Sequence, residues 1–412
     1  MTRIPGTERH PATPVDEPRR AVGRYAALEG YRGLAALLIV VFHVYQYMRS
    51  GPTAAYPYVG TWRNTVLVGL DSTVGLFFVL SAFLLTLPYA RAGLTGNQPV
   101  AARAFLFRRS VRIVPLYLVA VLVVWASRNP ALPGDWRDLV EHLTFTQVFD
   151  DKRIFYTIGP AWSLAVEVHF YLLLALLGPV VCRRCHAIAT RAGRIRTLWG
   201  VVTGLAAVGI LWKLIAWYVL GARTDAWSVW FGLPAKIDIF AVGMALAVVV
   251  ASREQSEPMS RSARRVLAGS GGAVVVAAFA TNSTTQLSHL FFHTVAAVGF
   301  GLVIAASAFV PGQRSSRVLG SPVPALLGLI SYSMYMWHEP LMLLLAHHGL
   351  FPMAGSPNAF PVGVLILVTA TAVVGWLSYW VIEYPTGKLR RSRDESGSLR
   401  EYYHRREYLT RR

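Results

Sequence analysis

The chain has 412 residues, 54% of them hydrophobic and 15% charged, with a mean hydropathy of +0.44. A soluble domain carries nearer a quarter charged residues, so the composition points to a membrane protein and away from a soluble globular enzyme. The formal charge of +19 invites a nucleic-acid partner, but the arginines fall in blocks between apolar runs, which assigns them to the flanks of membrane spans.

Residues 1–24, rich in Pro, Arg and Thr, are expected to form a disordered tail, and no small-residue cleavage site follows the first apolar run to mark a signal peptide. Ten apolar runs long enough to cross roughly 30 Å of hydrocarbon follow. They lie near 33–49, 66–88, 113–127, 161–181, 198–220, 229–251, 266–281, 289–310, 325–348 and 361–382. Of the 40 basic residues, 31 lie in the N-terminal segment, the even-numbered loops and the C-terminal tail, against seven in the odd-numbered loops. By the positive-inside rule both termini are cytoplasmic. The expected architecture is an all-α integral membrane protein of about ten transmembrane helices, over 25–385, followed by a basic cytoplasmic tail over 386–412. No internal repeat and no appended soluble domain is expected. Two cysteines cannot build a disulfide framework.

The first run contains Glu29, Arg32 and His43. Eleven residues separate Arg32 from His43, about three helical turns, so both side chains share one face roughly 16.5 Å apart along the axis. Groups of this kind inside a membrane usually face a bundle interior or a wet cavity. An arginine at a pore mouth can bind a phosphate, and an imidazole deeper in can accept a hydroxyl proton. A histidine hydrogen-bonded to a neighbouring helix is the plainer alternative. Glu29, three residues before Arg32, is placed to pair with it.

The second run carries Asp71 toward the outer side and Ser81 deeper in. Arg108, Arg109 and Arg112 open the third run; they either obey the positive-inside rule and bind lipid headgroups or join Arg32 in a polyphosphate pocket. In the external loop that follows, Trp136, Leu139, Val140 and Leu143 lie at the spacing of an amphipathic helix resting on the outer surface, opposite Asp135, Asp138 and Glu141. Glu167 enters the fourth run from outside and is expected to stand beside His43 and orient it. The pattern Cys182-Arg-Arg-Cys185-His186 matches covalent haem attachment, but no haem-sized soluble domain surrounds it. Lys236 and Asp238 lie inside the sixth run, where an internal ion pair is expected. His289 and His293 are one turn apart near the outer surface, without an evident third ligand for a metal. Ser331, Tyr335 and His338 share one face of the ninth run, with Glu339 and a kink-forming Pro340 behind them.

Arg32 and His43, with ten residues between them in EGYRGLAALLIVVFH, make the sequence similar to the acyltransferase 3 family of integral membrane acyltransferases. GLFFVLSAFLL, FLFRRSVRIVPLY, WSLAVEVHFY, KIDIFAVG and SYSMYMWHEPL resemble further family motifs, in the family's order, across most of residues 26 to 385. The family often has Gly at Ala82, a second Glu at Val168 and Arg at Lys236. The resemblance implies O-acyl transfer from cytoplasmic acyl-CoA, most often acetyl-CoA, to a hydroxyl of a cell-envelope or exported glycan, or of a macrolide-like metabolite. It implies no bound cofactor. Arg32, Arg108, Arg109 and Arg112 would hold the donor. His43 would be the base, or the carrier of an acyl-histidine intermediate, with Glu167 as its orienting carboxylate. Glu29, Asp71, Ser81, Trp162, Lys236, Asp238, Tyr335 and His338 would support the site or face the acceptor. A transporter or flippase that uses the intramembrane charges as a relay is the alternative of another class.

Overall fold

The computed structural model describes residues 26–253, 259–282, 284–308, 319, 321–356 and 358–388. The tails expected at 1–24 and 386–412 lie outside this set, except for 386–388. Among the described residues the chain is helical, with one isolated antiparallel bridge between Ser50 and Ala55 and no strand.

Among the described residues nine helices are long and apolar enough to cross a membrane, and the chain is a multi-pass membrane protein. In chain order the main helices are α1 (Ala26–Tyr47), α2 (Trp62–Gly69), α3 (Thr73–Thr95), α4 (Ala102–Arg128), α5 (Trp136–Leu143) and α6 (Ala161–His186). They continue with α7 (Arg191–Leu214), α8 (Trp227–Phe231), α9 (Leu233–Arg253), α10 (Arg261–Thr281), α11 (Gln286–Ala308), α12 (Pro322–His347) and α13 (Ala359–Ser378). The expected run at 325–348 is the 26-residue α12, which continues through Pro340. Tyr332, Tyr335, His338 and Glu339 interrupt its apolar sequence, so α12 is less apolar than the nine; the first three are buried against protein. The third run, expected to begin at 113, starts at Ala102 because the arginine-rich stretch continues the helix.

The span Trp227–Arg253 buries 72% of its apolar window within the protein and Arg261–Thr281 only 11%, which puts α9 at the centre and α10 at the rim. Phe240 of α9 stacks between Phe78 of α3 and Phe170 of α6, at ring distances of 4.6 and 4.2 Å. Two close crossings set the frame. A Cβ on Gly243 would stand 2.2 Å from the carbonyl oxygen of Val79, and one on Gly328 would stand 2.2 Å from that of Glu29. Helices approach this closely only across small residues. The second crossing lays α1 along α12, bringing the face that carries Arg32 and His43 against the face that carries Ser331, Tyr335 and His338.

The loop helix α5 reverses half of the expectation set by its spacing: Leu139 and Leu143 pack against the core, but its polar face is buried as well. Its Asp138 and His142 are fully buried, whereas Trp136 and Val140 are 57% and 47% exposed. Hydrogen bonding explains the reversal, because buried polar groups are stable when partnered. Asp138 accepts from the Thr157 hydroxyl and lies 3.1 Å from Nδ1 of His142, while Tyr117 of α4 donates to the His142 carbonyl at 2.8 Å. Asp135 caps the helix by accepting from the Asp138 backbone N–H. That bond, and after it Arg153, hold the Asp135 carboxyl below the usual carboxylate value.

Candidate active site

A cleft enclosing about 770 Å³, part of it open to solvent, runs between α1, α3, α4, α6 and α12. Arg32, Arg109 and Arg112 line it together with Ser81, Glu167 and Tyr335, all expected from sequence. Each arrives from a different helix or turn of a helix, so the site exists only when the bundle is assembled. Arg32 feels Arg112 as a repelling charge and Glu29 and Glu167 as attracting ones. Guanidiniums gathered on one cleft lining are chemically suited to seat an anion.

Glu167 makes its bonds inside the cleft. It accepts from the Ser81 hydroxyl and, at 2.5 Å, from Tyr171 one helical turn further along α6. It makes no hydrogen bond with His43, so the pairing expected from sequence is replaced by these two. His43, partly exposed, stands behind the cleft wall, reached through Tyr335 and His338. Tyr335 lines the cleft and packs on His338 with ring centres 5.6 Å apart, and His338 packs on His43 at 4.7 Å. Tyr335 is fixed by Ser163 at 2.7 Å and by donation to the Pro160 carbonyl at 2.9 Å. Glu339 accepts from the Gly159 N–H at 2.6 Å, where only a residue without a side chain leaves room for the carboxylate.

The remaining expected residues sit elsewhere. Arg108 is absent from the cleft lining; its charge bears on Tyr89. Asp238 pairs with Lys213 of α7 at 2.5 Å and accepts from Thr294, not with Lys236. Residues two apart on a helix face different ways, which is why the sequence neighbours do not meet. Lys236 instead lies over the rings of Phe231 and Trp162, at 4.9 and 5.6 Å. Asp71 stands 3.4 Å from His293. Sequence reasoning passed over Tyr171, Tyr332 and Ser163 as cleft residues. Tyr171 and Ser163 lie four residues either side of Glu167, a spacing that shares its face.

A family model described as an acyltransferase domain, acyltransferase 3, matches residues 25–380. The chain belongs to the acyltransferase 3 family. It is similar to the peptidoglycan O-acetyltransferase OatA of Listeria monocytogenes, 24% identical over 384 residues, covering 88% of this chain and 56% of that protein. It is also similar to the O-acetyltransferase OatA of Staphylococcus aureus, 23% identical over 383 residues, covering 88% of this chain. The chain thus spans little more than half the length of these relatives. No solved structure matches it. The arginines and histidines singled out above all fall within the residues the family model matches.

Proposed function

We propose that this member of the acyltransferase 3 family is a membrane O-acyltransferase. It moves an acyl group, acetyl in the first instance, from acyl-CoA to a hydroxyl of a cell-envelope or exported glycan. The observation that carries this reading is a single cleft with Arg32, Arg109 and Arg112 in its wall and Tyr335, His338 and His43 stacked outward from it. The names of the two relatives support the reaction class.

In this scheme the arginines hold the phosphates of CoA, and the pantetheine arm runs along the cleft toward the histidines. The acceptor oxygen attacks the thioester carbonyl while His43 takes the hydroxyl proton. A new C–O bond forms, the C–S bond breaks, and the thiolate of CoA leaves with the proton that His43 returns. Glu167, anchored by Ser81 and Tyr171, offsets part of the positive charge around Arg32 when the cleft is empty. With α12 as a tenth crossing and the arginine-rich loops in the cytoplasm, the donor enters from the arginine-rich side.

Mass spectrometry of glycans and exported metabolites from cells with and without the intact gene tests the proposal. An acyl mass that disappears with the gene is expected, and it names donor and acceptor class together. Identical acylation in the two sets overturns the reading.

A further inference from the structure

The contact between two imidazoles at the back of the cleft has a proton arrangement that its geometry decides. His43 Nδ1 lies 3.0 Å from the carbonyl oxygen of Ile39 and 3.2 Å from Nε2 of His338. His338 Nδ1 lies 2.7 Å from the carbonyl oxygen of Tyr335. A carbonyl oxygen only accepts, so each Nδ1 carries a hydrogen. A neutral imidazole has one N–H, which leaves Nε2 of His338 bare and able to accept. The Nδ1–H of His43 is therefore shared between the Ile39 carbonyl and Nε2 of His338, and the lone pair of His43 is on Nε2.

We propose that His338 is a positioning residue that holds His43 as its Nδ1–H tautomer, presenting Nε2 as the base for acyl transfer. This rests on the reading of His43 as the base. A group hydrogen-bonded behind a histidine fixes its tautomer and ring orientation. His338 is suited to that role because it is itself immobile. It is wholly buried, and its own Nδ1 is anchored to the turn of α12 that also supplies Tyr335 to the cleft wall. When Nε2 of His43 takes the acceptor's proton, its Nδ1–H becomes a cationic donor, and the bond to Nε2 of His338 strengthens. An interaction that strengthens as the reaction proceeds raises kcat more than it lowers KM.

The test measures transfer from labelled acetyl-CoA by the full chain in membranes, comparing wild type with His338→Leu, His338→Gln and His338→Asn. The glutamine amide oxygen reaches the place of Nε2 and still accepts from His43; the shorter asparagine does not. His338→Leu and His338→Asn should lose about tenfold to a hundredfold in kcat, with the KM for acetyl-CoA unchanged, and His338→Gln should recover most of the loss. In a His43→Ala background, removing His338 should cost nothing further, because the two act as a unit. Equal losses in all three variants, or a further loss in that background, would show a packing role and overturn the proposal. Should the leucine variant fail to fold, the contrast between glutamine and asparagine decides the matter alone. Wild-type rates for His43→Ala would sink the reading of His43 itself. An inactive His43→Ala beside fully active His338 variants would leave that reading standing and remove this inference.

Discussion

Arg32 and Arg112 both line a cleft that opens among apolar helices, and their charges repel. Charges are not kept that way for stability, since each is costly where apolar helices crowd it. Glu29 and Glu167 offset part of the cost, and a bound polyphosphate would offset more. Replacing Arg32 with alanine should raise the KM for acetyl-CoA roughly tenfold to a hundredfold, the value of one charge-assisted hydrogen bond, with a smaller change in kcat. Donor titration of the variant measures this directly, and an unaltered affinity would take Arg32 out of the donor site. At this scale the sequence was a good guide to which residues share a cleft and a poor one to their partners. Arg32, Ser81, Glu167 and Tyr335 reach one cleft as residue type and depth suggested. Asp238 found Lys213 rather than Lys236, because an ion pair between helices depends on packing that no local spacing encodes.

The elements that position the site are α1 and α12. Their close crossing was not legible in advance, since Gly328 is one of 34 glycines and nothing local distinguishes it. The shared face of Ser331, Tyr335 and His338 was legible, because helical periodicity alone sets it. Adding a methyl group in Gly328→Ala forces α1 away from α12, with overpacking expected to cost about 1–3 kcal/mol. Thermal melting in detergent should show the loss, and transfer should fall with it; a variant with unchanged melting would mean that the crossing has slack. The short helix α5 teaches the opposite lesson. Its apolar spacing is real, but Thr157, Tyr117 and the Asp138–His142 pair give its polar face better partners than water offers. Asp138→Ala orphans the buried Thr157 hydroxyl, at roughly 1–3 kcal/mol for a buried group left unpaired, while His142 keeps its bond to the backbone carbonyl of residue 138. The same melting assay reads that loss, and full stability would show that the pair contributes little.

At the scale of the whole molecule, the alternation of arginine-rich and arginine-poor loops is what assigns the proposed donor side. In the proposed orientation the arginine-rich flank of α4 lies on the cytoplasmic side, where a water-soluble thioester donor is available. The helix count could be read because apolar length is a property of contiguous sequence. The cleft could not, because it is bounded by five helices drawn from residues 300 apart in the chain. It takes a packed bundle to bring Arg32, Arg112, Glu167 and Tyr332 to one wall. The most direct test of the account reconstitutes the full chain in vesicles of defined orientation and follows acetyl transfer from labelled acetyl-CoA to a glycan acceptor. Transfer should require acetyl-CoA on the arginine-rich face and should fall about a hundredfold or more in His43→Ala. Transfer supported equally from the opposite face, or undiminished without His43, would contradict it.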